Sequence, residues 1–255
     1  MQAENLLADW VLRPEFGDRA FNLADPTISD GTFTNFASPV PWQSDIETIH
    51  GLDFDGTDDF INFGAGHLFT PQDWTLCATV RLGASAAFRT IFGMGDQVTA
   101  GGKSGMFLRV RNSDTPEGFC YVGTDVEGGV IGGTVLSEDQ EFIWLALRKD
   151  GTSLKLFLNG IEEGSATLSS AAMDYSSNDP TTRIGTISTG QFPWLGLIAN
   201  VRLYDAPLSD AVILQMWHPA TRWELYRPLR IVGLFEKAVA GAAGPFAQAQ
   251  LGVGL

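Results

Sequence analysis

Leu52-Asp53-Phe54-Asp55-Gly56-Thr57-Asp58-Asp59-Phe60-Ile61-Asn62-Phe63-Gly64 carries two strand patterns around one turn. Leu52 and Phe54 alternate with Asp53 and Asp55, as a strand with one buried face requires. Gly56 tolerates positive φ, and aspartates bond their own backbone, so 56–59 is turn chemistry. Phe60 to Phe63 then resumes a strand. The stretch predicts a β-hairpin with a polar tip. Four aspartates in so short a run also offer hard oxygen ligands, and that raises a metal as a second reading.

The same grammar extends in both directions. Residues 6–12 read as a first strand, and 32–36 as a short strand within an irregular, proline-containing segment. Further strands are predicted at 73–82, 88–94, 106–111, 119–122, 130–136, 141–148, 154–158, 161–167, 182–185 and 195–204. Lys149-Asp150-Gly151-Thr152 and Asn159-Gly160 are tight hairpin turns. Strands about ten residues apart, with turn signals between and no alternating helices, indicate a β-sandwich or barrel. One helix is expected after Ser209, whose hydroxyl can cap it. Val212, Ile213, Met216 and Trp217 share a face for packing on the sandwich edge.

Bulk composition narrows the function. The 255 residues carry a net charge of −14, which disfavours a nucleic acid or an anionic membrane as partner. No apolar run approaches the roughly 20 residues of a membrane span, and the first ten residues lack a signal-peptide pattern. Synthesis in the cytoplasm is therefore expected. Cys77 and Cys120 have no His or second Cys at ligand spacing, so two free thiols are expected, with a disulfide as the alternative.

Chemical constellations are sparse. A sandwich glucanase needs two carboxylates alternating on one strand, and no Glu-x-Asp-x-x-Glu run is present. Residues 137–141 are acidic but lack that spacing and read as a solvated turn. His50, His67 and His218 are isolated. Gly101-Gly102-Lys103-Ser104 lacks the first glycine of a phosphate loop and reads as a connection between strands. Counted from Asp53, the aspartates also miss the glycine and glutamate of a helix-loop-helix calcium loop. No catalytic residue, metal ligand or cofactor is assigned. A looser calcium site between the turn and a neighbouring loop stays open as an alternative.

The order of these blocks resembles that of laminin-G-like, concanavalin-A-like jelly-roll domains. Residues 52–60 resemble their "FDG-x-x-D-Y/F" signature, and Trp74-Thr-Leu-Cys-Ala-Thr-Val80 and Thr90-Ile-Phe-Gly-Met-Gly-Asp96 resemble two of their strands. Residues 145–160 are similar to "VA-x-x-x-DG-x-x-L-x-LYVDG", and 182–185 with 196–209 to "RIG…G-x-IDEVRIYNRALS". The resemblance implies an all-β, two-sheet jelly-roll sandwich over residues 1–221, with one short helix and an extended C-terminal tail over 222–255. It implies binding or architecture, with calcium in some members. Here Ala199-Asn200 stands where the pattern carries Asp-Glu, which removes two carboxylates. Residues 216–230 are further similar to the "NPW-x-LF-x-P-x-R" ending of laminin-G-like proteins of tailed bacteriophages.

The tail differs in charge. Arg222, Arg227, Arg230 and Lys237 against Glu224 and Glu236 give it +2, so residues 1–221 hold −16. Trp223, Tyr226, Arg227, Arg230 and Phe235 are the expected partner-binding residues, as aromatic and arginine anchors. The leading expectation is a non-catalytic virion component, a capsid decoration or tail-associated subunit. It would dock through this tail onto other virion proteins or its own copies. The alternative is a lectin-like glycan-binding module of a surface or secreted protein, with Trp42 or Trp194 stacking on sugars.

Overall fold

In the computed structural model, residues 5–25, 30–44, 50–66, 68–97, 102–124, 126–138, 142–176 and 181–218 are described. They form a two-sheet sandwich in which every strand pairing is antiparallel. The first sheet runs β14 (Ile161–Thr167), β13 (Ser153–Leu158), β12 (Ile143–Asp150), β7 (Trp74–Leu82), β16 (Leu195–Tyr204), β5 (His50–Asp55), β4 (Trp42–Ser44), with β1 (Leu6–Val11) also on β16. The second runs β11 (Val126–Ile131), β10 (Pro116–Val122), β9 (Met106–Val110), β8 (Arg89–Gly95), β15 (Thr181–Ile184), β6 (Phe60–Ala65), β3 (Gly31–Thr34), β2 (Arg19–Ala20). The jelly-roll expectation from the sequence therefore holds.

The stretch 52–64 is not a hairpin. β5 pairs with β16 and β4 in the first sheet, whereas β6 pairs with β15 and β3 in the second. Residues 56–59 carry the chain across the sandwich from one sheet to the other. The sequence pattern is the same in both cases, because a hairpin and a sheet-to-sheet corner each point their apolar residues into one interior. Here Leu52 and Phe54 enter that interior from one side, and Ile61 and Phe63 from the other.

The interior is continuous. Leu76, Ala78 and Val80 of β7, Leu145 and Leu147 of β12 and Val201 and Leu203 of β16 face Phe92, Met94, Leu108 and Val122 of the second sheet. Trp10 lies at the centre, its ring 4.5 Å from Phe63 and 6.0 Å from Phe92. Each buried Leu, Val, Met or Phe among them contributes about 1.5–3 kcal/mol on leaving water. Of the two Xaa-Gly turns, one takes both of the positive-φ residues expected of it and the other only one. Asn159 and Gly160 both take positive φ, joining β13 to β14. At the other turn, Gly151 alone takes positive φ, and Asp150 pairs with Ser153 as the last rung of the ladder.

One strand serves two partners. The register of β16 against β7 slips between Ile198 and Asn200. Residues 195–198 pair with β5 and residues 200–204 with β1, so the slip falls where the partner changes. Helix α1 (Asp210–Trp217) follows, with Ser209 Oγ accepting the Val212 amide at 3.4 Å and Ile213 and Met216 buried. Arg148 ties it to the sheet through Asp210 and the Leu208 carbonyl. The compact unit holding both sheets ends at His218.

One expected strand moved. The predicted 130–136 is observed at Val126–Ile131. The strand begins earlier because it includes Gly128 and Gly129, above which the side chains of Leu168 and Phe119 occupy the space a β-carbon would take.

Candidate functional site

Two places carry chemistry. At the corner between the sheets, carboxylate oxygens of Asp55, Asp58 and Asp59 lie within 4.8 Å of one another. Their bonding is mostly internal. Asp59 is only 3% exposed and accepts the Asp55 amide at 2.9 Å. Asp55 Oδ1 accepts the amides of Thr57 at 2.7 Å and Asp58 at 3.4 Å. Burial raises the Asp59 carboxyl above its usual range. The Asp55 amide pulls the other way, and the charges of Asp55, Asp58 and Asp53 add to the rise. Asp53 sits apart on β5, bonded to Gln43, which also accepts from Arg81. The arrangement is what a corner needs to satisfy its amides, as the turn reading of these aspartates predicts. At the position where a second carboxylate pair is missing, Asn200 bonds Thr79 and Ala199 is buried.

The second place is the outer face of the second sheet. On β9 and β10, residues of one parity face the interior and those of the other face outward. The outward set is Phe107 and Arg109, cross-strand from Phe119 and Glu117, with Tyr121 beyond. Phe107 and Phe119 stack with centroids 4.8 Å apart, and Tyr121 meets both edge-on. Ile187 and Phe192, from the connection between β15 and β16, close over these rings. Phe192 takes φ +56, a left-handed conformation that costs a bulky residue about 1–2 kcal/mol. Its carbonyl accepts the Thr90 amide at 2.9 Å while its ring lies 5.7 Å from Phe88.

Arg109 occupies the middle of this patch. Its guanidinium carbon is 4.5 Å from the Phe119 centroid, 4.8 Å from Phe88 and 5.9 Å from Phe192. Its Nε donates to Glu117, which also takes Arg111 Nη1 at 3.2 Å. Two cations thus share one carboxylate. Phe88 and Phe192 are each half-buried at the rim of this patch. Chemically, such a patch offers aromatic surface beside an oriented, charged hydrogen-bond donor.

The residues singled out from sequence fall elsewhere. Trp223, Tyr226, Arg227, Arg230 and Phe235 lie outside the described residues, as does His67. Trp194 is fully buried, which removes it as a sugar platform. Trp42 is half-buried against Phe33, 5.9 Å away. Glu138 is not a purely solvated turn residue, because it accepts the Ser85 amide at 2.9 Å. Cys77 and Cys120 are free and buried. No described helix is long and apolar enough to cross a membrane. Sequence reasoning missed Phe88, Arg109 and Phe192. The available signal was strand parity, since Phe107, Arg109 and Arg111 all oppose the apolar Met106, Leu108 and Val110.

A family model described as the concanavalin A-like lectin/glucanases superfamily matches residues 55–214. No curated protein matches the sequence. Among solved structures, domain 4 of AbnA, a GH43 extracellular arabinanase from Geobacillus stearothermophilus in complex with arabinotriose, is 14% identical. Its TM-score is 0.63, over 84% of this chain and 98% of that one. The binding domain of Paraclostridial Mosquitocidal Protein 1 is 9% identical with a TM-score of 0.59, over 85% of this chain and 52% of that one. The Ruminococcus gnavus IT-sialidase CBM40 bound to alpha2,6 sialyllactose is 14% identical with a TM-score of 0.52, over 66% and 96%. At these identities the likeness is one of fold.

Proposed function

Because the chain belongs to the concanavalin A-like lectin/glucanases superfamily, we propose that it is a non-catalytic binding module taking a glycan on the outer face of its second sheet. The support is the patch of Phe88, Arg109 and Phe192. Aromatic residues at the rim of the sheet face suit the C–H faces of a sugar, and a guanidinium held by Glu117 suits its polar edge. Similar folds solved with arabinotriose and sialyllactose favour the same reading. Phe192→Ala and Phe88→Ala, screened on a glycan array beside the unaltered chain, test it. Lost hits support the site, and an unchanged hit pattern overturns it.

A second role is compatible and concerns the other end of the chain. Residues 222–255 form a docking tail that attaches the module to a virion as a decoration or tail-associated subunit. The favouring observation is in the sequence: a +2 segment with Trp223, Tyr226, Arg227, Arg230 and Phe235 follows a body of −16. Such a tail suits an acidic surface on another virion protein or on another copy of this chain. Deleting 222–255 and measuring association with purified particles is the test, and retained association would sink it.

A further inference from the structure

We infer that the glycan is an acidic one, whose carboxylate is gripped by the terminal nitrogens of Arg109. This rests on the glycan reading above and specifies its ligand class. Arg109 keeps 11% of its side chain exposed. Its Nε is committed to Glu117, but Nη1 and Nη2 donate to no atom among the described residues. The guanidinium is held by the Nε bond to Glu117 and packs against the rings of Phe119, Phe88 and Phe192. It is therefore oriented before any ligand arrives. Two parallel donors with fixed orientation are the complement of a carboxylate, which they bond through both oxygens.

Charge points the same way. Arg109, Arg111 and Glu117 together carry one surplus positive charge, while the Glu127 carboxylate at the other end of the ring cluster accepts the Tyr121 hydroxyl at 3.0 Å. The chain as a whole carries −14. A generally acidic surface repels anions, so a local surplus beside aromatic rings selects a small anion that also presents an apolar face. A carboxylated sugar has both features.

The test is isothermal titration of the full chain with sialyllactose, a galacturonate dimer and lactose, at low and high salt. Sialyllactose or the galacturonate dimer is expected to bind about tenfold or more tightly than lactose, as a charge-assisted bidentate pair implies. Salt should weaken acidic-sugar binding and spare lactose. Arg109→Lys keeps the charge, removes the fork and should erase most of the preference, with an unchanged unfolding midpoint confirming the fold. If that variant does not fold, the salt dependence on the unaltered chain decides. Equal affinities for lactose and both acidic sugars, or a preference insensitive to salt, overturn the inference and leave the glycan reading standing. A preference that survives Arg109→Lys does the same. An acidic peptide that binds as tightly as the sugars also overturns it, and no binding to any sugar overturns both.

Discussion

Gly185 and the ring of Phe54 occupy one space: a β-carbon on Gly185 would lie 2.4 Å from Phe54 Cε1. Gly185 also takes φ +91, which side-chain-bearing residues rarely adopt. Two costs therefore fall on one position, and Phe54 is the residue that anchors β5 in the interior. Gly185→Ala is expected to destabilise the sandwich by about 2–4 kcal/mol. Urea unfolding measures it, and a loss within error of zero would show that the ring moves aside freely.

The Asp59 carboxyl gives a pH signature. Its folded value is raised, chiefly by burial, so the native state binds that proton more tightly than the unfolded chain does. The contribution is fully present below the ordinary value of 3.8 and is lost as pH rises through the raised value. Asp59→Asn can still accept the Asp55 amide but never ionises. Its stability relative to the unaltered chain should therefore climb as pH rises above about 3.8 and then level off. A difference constant over pH 3 to 7 would count against the placement of Asp59 at the buried corner.

Lys149 has no exposed side-chain surface, and its Nζ donates to the carbonyls of Gln72 at 2.7 Å and Ala171 at 2.6 Å, with Asp73 at 3.2 Å. It ties β12 to two separate loops. Lys149→Met retains the packing stem and removes all three bonds. The expected loss is about 3 kcal/mol, because two inward carbonyls lose their donor. Hydrogen exchange should rise first at Gly151, whose amide bonds the same Asp73.

Both thiols should be silent in the native protein. Burial pushes Cys77 and Cys120 up to about 12, so thiolate is scarce at neutral pH, and neither sulfur is accessible. A thiol-reactive dye at pH 8 is expected to label neither until denaturant is added, and then both. Labelling of either in native buffer would place it at the surface.

Strand positions were legible wherever turn residues have one meaning. Asn159-Gly160 admits little but a tight hairpin, and Ser209 before an apolar helical stripe marks its own cap. The corner at 55–59 was not legible as such. Alternation says which side chains go inward, but it does not say whether the next strand joins the same sheet or the opposite one. β2 and β4 are two and three residues long, too short for any period to register. Gly128 and Gly129 carry no side chain for a strand period to register, and only the side chains of Leu168 and Phe119 above them explain their place in β11. The aromatic–arginine patch was hidden for another reason. Phe88, Arg109, Glu117 and Phe192 come from separate elements, and only the register of β9 on β10 and the fold of the 185–194 connection bring them together.

The pairing of β1 with the second half of β16 brings the first and last strands of the double sheet side by side. Leu6 stands opposite Tyr204, and the Asp205 amide donates to the Asn5 carbonyl at 2.8 Å. The chain enters and leaves the double sheet through the same doorway. Strain at this one junction would therefore loosen the first and the last strand of the double sheet together.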